Sequence, residues 1–163
     1  MKVRNLMTRE VETCKSTDDL STAAMIMWRN DCGVVPVTDD GRHVVGVITD
    51  RDICMATATR NRRPEEIPVG DVVTHRVISA RSDDDLRTAL ETMRSEHVRR
   101  LPIVDRERNL EGVLSINDII LGAVHGGDSS PSMNDVMTTL QGICAHNPQV
   151  SRGNGDRARR TTA

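Results

Sequence analysis

The chain has 163 residues, 37% hydrophobic and 28% charged, with a formal net charge of -2 at pH 7; this is material for one ordinary soluble domain, or two small ones sharing a core. Trp28 stands alone, with no Phe and no Tyr, so the platforms on which single-stranded nucleic-acid readers stack bases are missing, and the near-neutral charge gives no basic field for a phosphate backbone. Apolar runs reach about five residues, far short of the roughly 18 to 20 that span a bilayer, and the start MKVRNLMTRE has no apolar leader core; the expectation is a cytoplasmic protein with neither membrane nor nucleic acid as partner.

Val11 to Cys14 reads as a short strand. Ser16, followed by Asp19 three residues on, has the form of a capping box that opens a helix. Leu20, Ala23, Ala24 and Met27 then recur at helical spacing as one apolar stripe, and Gly33 ends that region. Val34 to Val37 is a strand, placed at an edge or an irregularity by Pro36 within it. Asp39-Asp40-Gly41 is a turn and Val44 to Thr49 the partner strand. A second helix runs from Asp50 to about Ala58, and residues 60–68, RNRRPEEIP, form a polar linker.

Displacing the sequence by 66 positions then sets residues 3–53 against 69–119 without a gap, with about a third of the pairs identical. The anchors include Thr8 with Thr74, Asp18-Asp19-Leu20 with Asp84-Asp85-Leu86, Pro36 with Pro102, Gly46-Val47 with Gly112-Val113, and Asp52-Ile53 with Asp118-Ile119. Copy two repeats the stripe as Leu86, Ala89, Leu90 and Met93, and its last helix runs from Ile116 to about Val124. The expected fold class is α+β, with duplicated βαββα units over residues 1–59 and 69–125. A unit of roughly 50 residues buries too little to stand alone, so the copies should pack through their sheets as one pseudo-two-fold body with clefts between them.

Residues 126–145 comprise a flexible break, GGDSSPS, and a helix from Met133 to Ala145 opened by Ser132, with Val136, Leu140 and Ile143 as its apolar face. Residues 146–163 read as a disordered tail. Cys14, Cys32, Cys54 and Cys144 show neither CxxC nor metal-ligand spacing, so reduced thiols are expected; Cys14 and Cys32 bracket the first helix and leave open a thiol or redox role.

The sharpest local feature is the strand-to-helix junction, GVITDRDI at 46–53 and GVLSINDI at 112–119. Both copies read hydroxyl, two residues, aspartate. A helix N-terminus favours phosphate through its free N–H groups and partial positive charge, and an aspartate can accept from both hydroxyls of a ribose. The same pattern is also a capping box serving only its own helix. No Ser-His-Asp order, HExxH, Walker loop or GxGxxG occurs.

The duplicated pattern, DCGVVPVTDDGRHVVGVITDRDI followed by EHVRRLPIVDRERNLEGVLSINDI, resembles the tandem cystathionine β-synthase (CBS) domain pair, or Bateman module, over about residues 1–125. The resemblance implies a non-catalytic sensor that binds an adenosyl ligand (AMP, ADP, ATP or S-adenosylmethionine) in clefts between the copies, needs no catalytic cofactor, forms a homodimer through its helices and regulates a protein yet to be identified. Carried over by position, one cleft takes its ribose and phosphate contacts from Ser115 and Asp118, with Val113, and lays adenine against Glu10, Val11, Glu12, Cys32, Gly33 and Val34. The second uses Thr49, Asp52 and Val47 with Arg76, Val77, Ile78 and Val98. Arg99 and Arg100 are expected beside Ser115 and Asp118, making that cleft the stronger phosphate site. The alternative is a structural interaction module with vacant clefts.

Overall fold

The computed structural model describes residues 1–40, 42–123 and 131–145. Helices α1 (Leu20–Arg29) and α3 (Leu86–Glu96) begin at equivalent positions of the two copies. The paired aspartates set those starts. Asp18 and Asp84 accept from the Lys15 and Arg81 N–H groups and turn the chain, while Asp19 and Asp85 accept from Thr22 and Arg87 N–H as N-caps. The expected Ser16 box therefore does not form: Ser16 lies one turn upstream, where its carbonyl accepts from Gly70 N–H. Both stripes face inward, with Leu20, Ala23 and Met27 buried in one copy and Leu86, Ala89, Leu90 and Met93 in the other. Helix α1 stops at Asn30, ahead of Gly33, because Asp31 takes a left-handed φ of 47°; His97, its equivalent after α3, has a φ of 54°.

Strand β1 (Val34–Thr38) pairs antiparallel with β2 (Val44–Thr49), which leads directly into α2 (Asp50–Arg60). Strand β3 (Arg100–Val104), β4 (Leu110–Ser115) and α4 (Ile116–Ala123) repeat that order. The expected Val11–Cys14 strand shrinks to a one-residue bridge. Cys14 N–H donates to the Pro36 carbonyl and Thr38 N–H donates to the Cys14 carbonyl, so Pro36 stands where only its carbonyl is asked for. Of the expected turn, Gly41 lies outside the described residues, as do Val124, most of the GGDSSPS break and the tail from residue 146.

The copies exchange their opening segments. Thr8 pairs with Val113 of β4, and Thr74 pairs with Val47 of β2. Val3 and Met7 are buried in the core of copy two, whereas Ile67, Val69 and Val73 are buried in the core of copy one. Helix starts are tied the same way, with Leu20 N–H on the Ile67 carbonyl and Leu86 N–H on the Met1 carbonyl. This explains the shared glycines: a Cβ at Gly112 would lie 2.4 Å from the Thr8 carbonyl oxygen, and one at Gly46 would lie 2.3 Å from Val73 Cγ2. Within the polar run 60–68, Ile67 is 0% exposed and anchors that stretch in the core of copy one.

Helix α5 (Met133–Cys144) opens on the expected Ser132 cap, with Ser132 and Asp135 bonded reciprocally. Val136, Leu140 and Ile143 join the copy-two core, so α5 covers α3 and α4 only. On copy one, Met25 and Trp28 of α1 and Met55 of α2 stay exposed, Trp28 by 84%.

Candidate functional site

Two clefts open between the copies, one of about 370 Å³ around Thr49 and one of about 330 Å³ around Ser115. Val34, Val113 and Arg100 line both and form a shared wall. Each cleft ends at the N-terminus of a helix, α2 or α4, where backbone N–H groups and the helix dipole favour an anion.

At both helix starts the capping box is complete. Thr49 N–H and Oγ1 donate to Asp52 Oδ2 at 2.9 and 2.7 Å, and Asp52 N–H donates to Thr49 Oγ1 at 3.2 Å. Ser115 and Asp118 do the same at 2.7, 2.7 and 3.2 Å. The structural and ligand-binding readings are thus compatible: each carboxylate uses Oδ2 on its own helix, and among the described residues its Oδ1 carries no hydrogen bond. A carboxylate held rigid by its cap, with one oxygen to offer, is preorganised to accept from a hydroxyl.

The structure brings Val11, Glu10, Glu12, Cys32 and Val34 together with Val113, Ser115, Asp118 and Arg100 in the Ser115 cleft. It brings Val47, Thr49, Asp52, Arg76, Ile78 and Val98 together in the Thr49 cleft. Val77 lines neither, and Gly33 lines the Thr49 cleft instead of the one expected. The larger correction concerns Arg99, which lines the Thr49 cleft and not the Ser115 cleft. The Arg99 carbonyl accepts from Ile116 N–H at 2.9 Å, joining its backbone to the start of α4, while the residue lines the cleft that ends at α2.

The clefts consequently differ in charge. The Thr49 cleft is lined by Arg51, Arg76, Arg99 and Arg100 against Asp50 and Asp52. The Ser115 cleft is lined by Glu10, Glu12, Asp31 and Asp118 against Arg100 alone. Ion pairs with residues outside the lining temper both: Arg76 meets Glu96 at 2.7 Å and Glu12 meets Arg29 at 3.3 Å. The contrast survives them.

Asp31, His97, Asn30 and Asn117 also line the clefts, although none was among the contacts expected from the sequence. The signal available was positional: Asp31 and His97 are equivalent in the repeat and both follow a helix end. The thiols take a different part from that left open by their spacing. Burial pushes Cys14 up to about 12, with the nearby Asp18 charge adding to it, and leaves it 2% exposed. It is a core thiol and no nucleophile at neutral pH. Cys32 points its sulfur at the Val34 carbonyl, 3.4 Å away. Among the described residues no cluster of His, Cys, Asp and Glu could hold a metal ion.

Comparison with protein families matches the CBS domain twice, at residues 3–58 and 69–124. The chain is 29% identical over 134 residues to the CBS domain-containing protein YhcV of Bacillus subtilis, covering 82% of this chain and 94% of that one. Among solved structures, the CBS domain pair of protein MJ0100, in complex with 5′-methylthioadenosine and S-adenosyl-L-methionine, superposes with a TM-score of 0.69 at 24% identity, covering 78% of this chain and 97% of that one. CBSX2 in complex with AMP superposes with a TM-score of 0.66 at 23% identity, covering 76% and 96%. At these identities the two structures speak for the fold.

Proposed function

The chain belongs to the CBS domain family, and we propose that it is a non-catalytic sensor whose inter-copy clefts bind adenosyl ligands, with the phosphate-bearing ligand in the Thr49 cleft. One observation carries the assignment: four arginines line the cleft that ends at the start of α2, against two aspartates. Arginine's planar fork suits phosphate oxygens, the N–H groups of α2 complete the anion site, and Asp52 Oδ1 is available to the ribose. Val34, Ile78, Val98 and Val113 offer the base an aliphatic slot, which suits a chain with one tryptophan and no other aromatic ring. The same logic moves the stronger phosphate site away from Ser115 and Asp118.

The AMP bound to CBSX2 and the adenosyl compounds bound to MJ0100 support this ligand class. No helix among the described residues is long and apolar enough to cross a membrane, and the cytoplasmic nucleotide pool is the proposed source of ligand. The exposed Met25, Trp28 and Met55 support a homodimer formed through the helices, and the listening protein is to be sought as a ligand-dependent partner of that assembly. Calorimetry with AMP tests the assignment. Arg99→Gln, which leaves both capping boxes intact, should weaken AMP about tenfold, the scale of one charge-assisted hydrogen bond, while Asp118→Ala leaves the AMP site in place. The reverse ranking overturns the choice of cleft. No binding and no thermal shift with AMP, ADP, ATP, NAD or S-adenosylmethionine favours the vacant-cleft interaction module.

A further inference from the structure

Arg100 is the first residue of β3, paired with Ser115 of β4 and half-buried. Its side chain lines the Thr49 cleft, the Ser115 cleft and a third groove between α1 and α2. Among the described residues it takes part in no ion pair and no side-chain hydrogen bond. In the Thr49 cleft it is one of four arginines, whereas in the Ser115 cleft it is the sole cation facing four carboxylates. A Cβ built at Gly33 would stand 3.7 Å from Arg100 Nη2 and 2.7 Å from Asp50 Oδ2, so the missing side chain at 33 leaves room beside the guanidinium.

We propose that Arg100 is a single cation shared by the two clefts: a phosphate ligand in the Thr49 cleft draws it over, so that the Ser115 cleft rejects a second anion and favours a nucleoside carrying positive charge. This rests on the reading that the clefts bind adenosyl ligands, and it adds the ligand class of the second cleft and the coupling between the two. A guanidinium is one rigid plane of donors and cannot serve phosphates in both clefts at once. With Arg100 committed, Glu10, Asp31 and Asp118 are left without a cation in the cleft, since Glu12 already has Arg29 and Asn30. An anion entering there meets like charge in a partly desolvated space, where Coulomb terms exceed their value in water, and a cation meets the reverse. Because coupling is reciprocal, the cationic ligand strengthens phosphate binding by the same factor.

The test is calorimetry on the full chain, with AMP as the anionic probe and S-adenosylmethionine as the cationic one. AMP is expected to saturate at one per chain, and saturating AMP to tighten S-adenosylmethionine at least about fivefold, the lower range of known couplings. Arg100→Gln should abolish that dependence, whereas Arg100→Lys, which retains the charge and guards against loss of fold, should keep part of it. Two equal AMP sites, an S-adenosylmethionine affinity that AMP leaves unchanged or weakens, or full coupling in Arg100→Gln each overturns the inference while adenosyl binding stands. Absence of binding by both probes overturns the inference and the underlying function together.

Discussion

Glu10 and Arg76, Asp31 and His97, and Asn117 and Arg51 occupy equivalent positions of the repeat, yet in each pair the residue lining the Ser115 cleft is the less basic. Arg99 and its equivalent Gly33 both line the Thr49 cleft, where only the copy-two residue carries charge. The residues that hold the backbone behave in the opposite way. Asp18-Asp19 and Asp84-Asp85, Gly46 and Gly112, and Thr8 and Thr74 are the same in both copies and do the same work. The lesson is that a duplicated scaffold keeps in common what closes its cores, and differentiates the side chains that face a cleft. Shape is duplicated and charge is divided.

The first way to break this comparison is to attack what the copies share. Ile67→Ala empties a fully buried position in copy one from a segment that precedes copy two, and should destabilise the whole chain by about 2–5 kcal/mol in urea unfolding. A single cooperative transition is expected, because each core contains part of the other copy's opening segment. Next in size, Gly112→Ala should cost about 1–3 kcal/mol, since its Cβ meets the backbone of Thr8 at 2.4 Å. Gly46→Ala should cost less, because its closest neighbour is a side-chain methyl, Val73 Cγ2 at 2.3 Å, and the nearest backbone atom, the Thr74 carbonyl oxygen, is farther away at 3.0 Å. Equal losses would mean that the two bridges are alike after all.

The comparison is sharpened by moving charge from one cleft to the other. Glu10→Arg places in the Ser115 cleft the residue type that the Thr49 cleft has at the same repeat position, and should raise the AMP stoichiometry from one toward two per chain in calorimetry. The smallest effect concerns the helix caps. Ser21 and the Thr22 N–H hold Asp19 below the usual carboxylate range, the Arg87 N–H does so for Asp85, and the Ser132 N–H and hydroxyl do so for Asp135. Folded carboxyls that titrate low contribute stability above their ordinary value of 3.8 and lose it as pH falls through the lower folded value. Thermal melts should therefore be flat from neutral pH down to about 5 and decline below about 4. A melting temperature that rises on acidification would contradict the caps.

Much of this was legible because it is local or periodic. The apolar stripes of α1 and α3, the junctions of β2 with α2 and β4 with α4, and the Ser132 cap of α5 each show within a few residues. What escaped is what only the assembled chain brings together. Ile67 is one apolar residue in a polar run, with no period to mark it, and its partner Leu20 lies far upstream. Thr8 was aligned with Thr74, but nothing local indicates that each bridges to the other copy's hairpin. Arg99, expected beside Ser115, lines the Thr49 cleft for a related reason: adjacency to Ser115 along the sheet fixes where its backbone lies, and not which cleft the residue lines. Ser16 yielded to Asp19 because either residue could have capped a helix, and tertiary hydrogen bonding to Gly70 decided between them.

The exchanged openings also impose an order on birth at the ribosome. The core of copy one lacks Ile67, Val69 and Val73 until that stretch has left the exit tunnel, so its interior closes only once the opening of copy two is made. Val3 and Met7 are made well before helix α3 and hairpin β3–β4, and have no place to go until these follow. The nascent chain thus carries an uncovered apolar segment until copy two is made. Whatever stabilises the finished clefts acts on a body that becomes whole only when its beginning meets its second half.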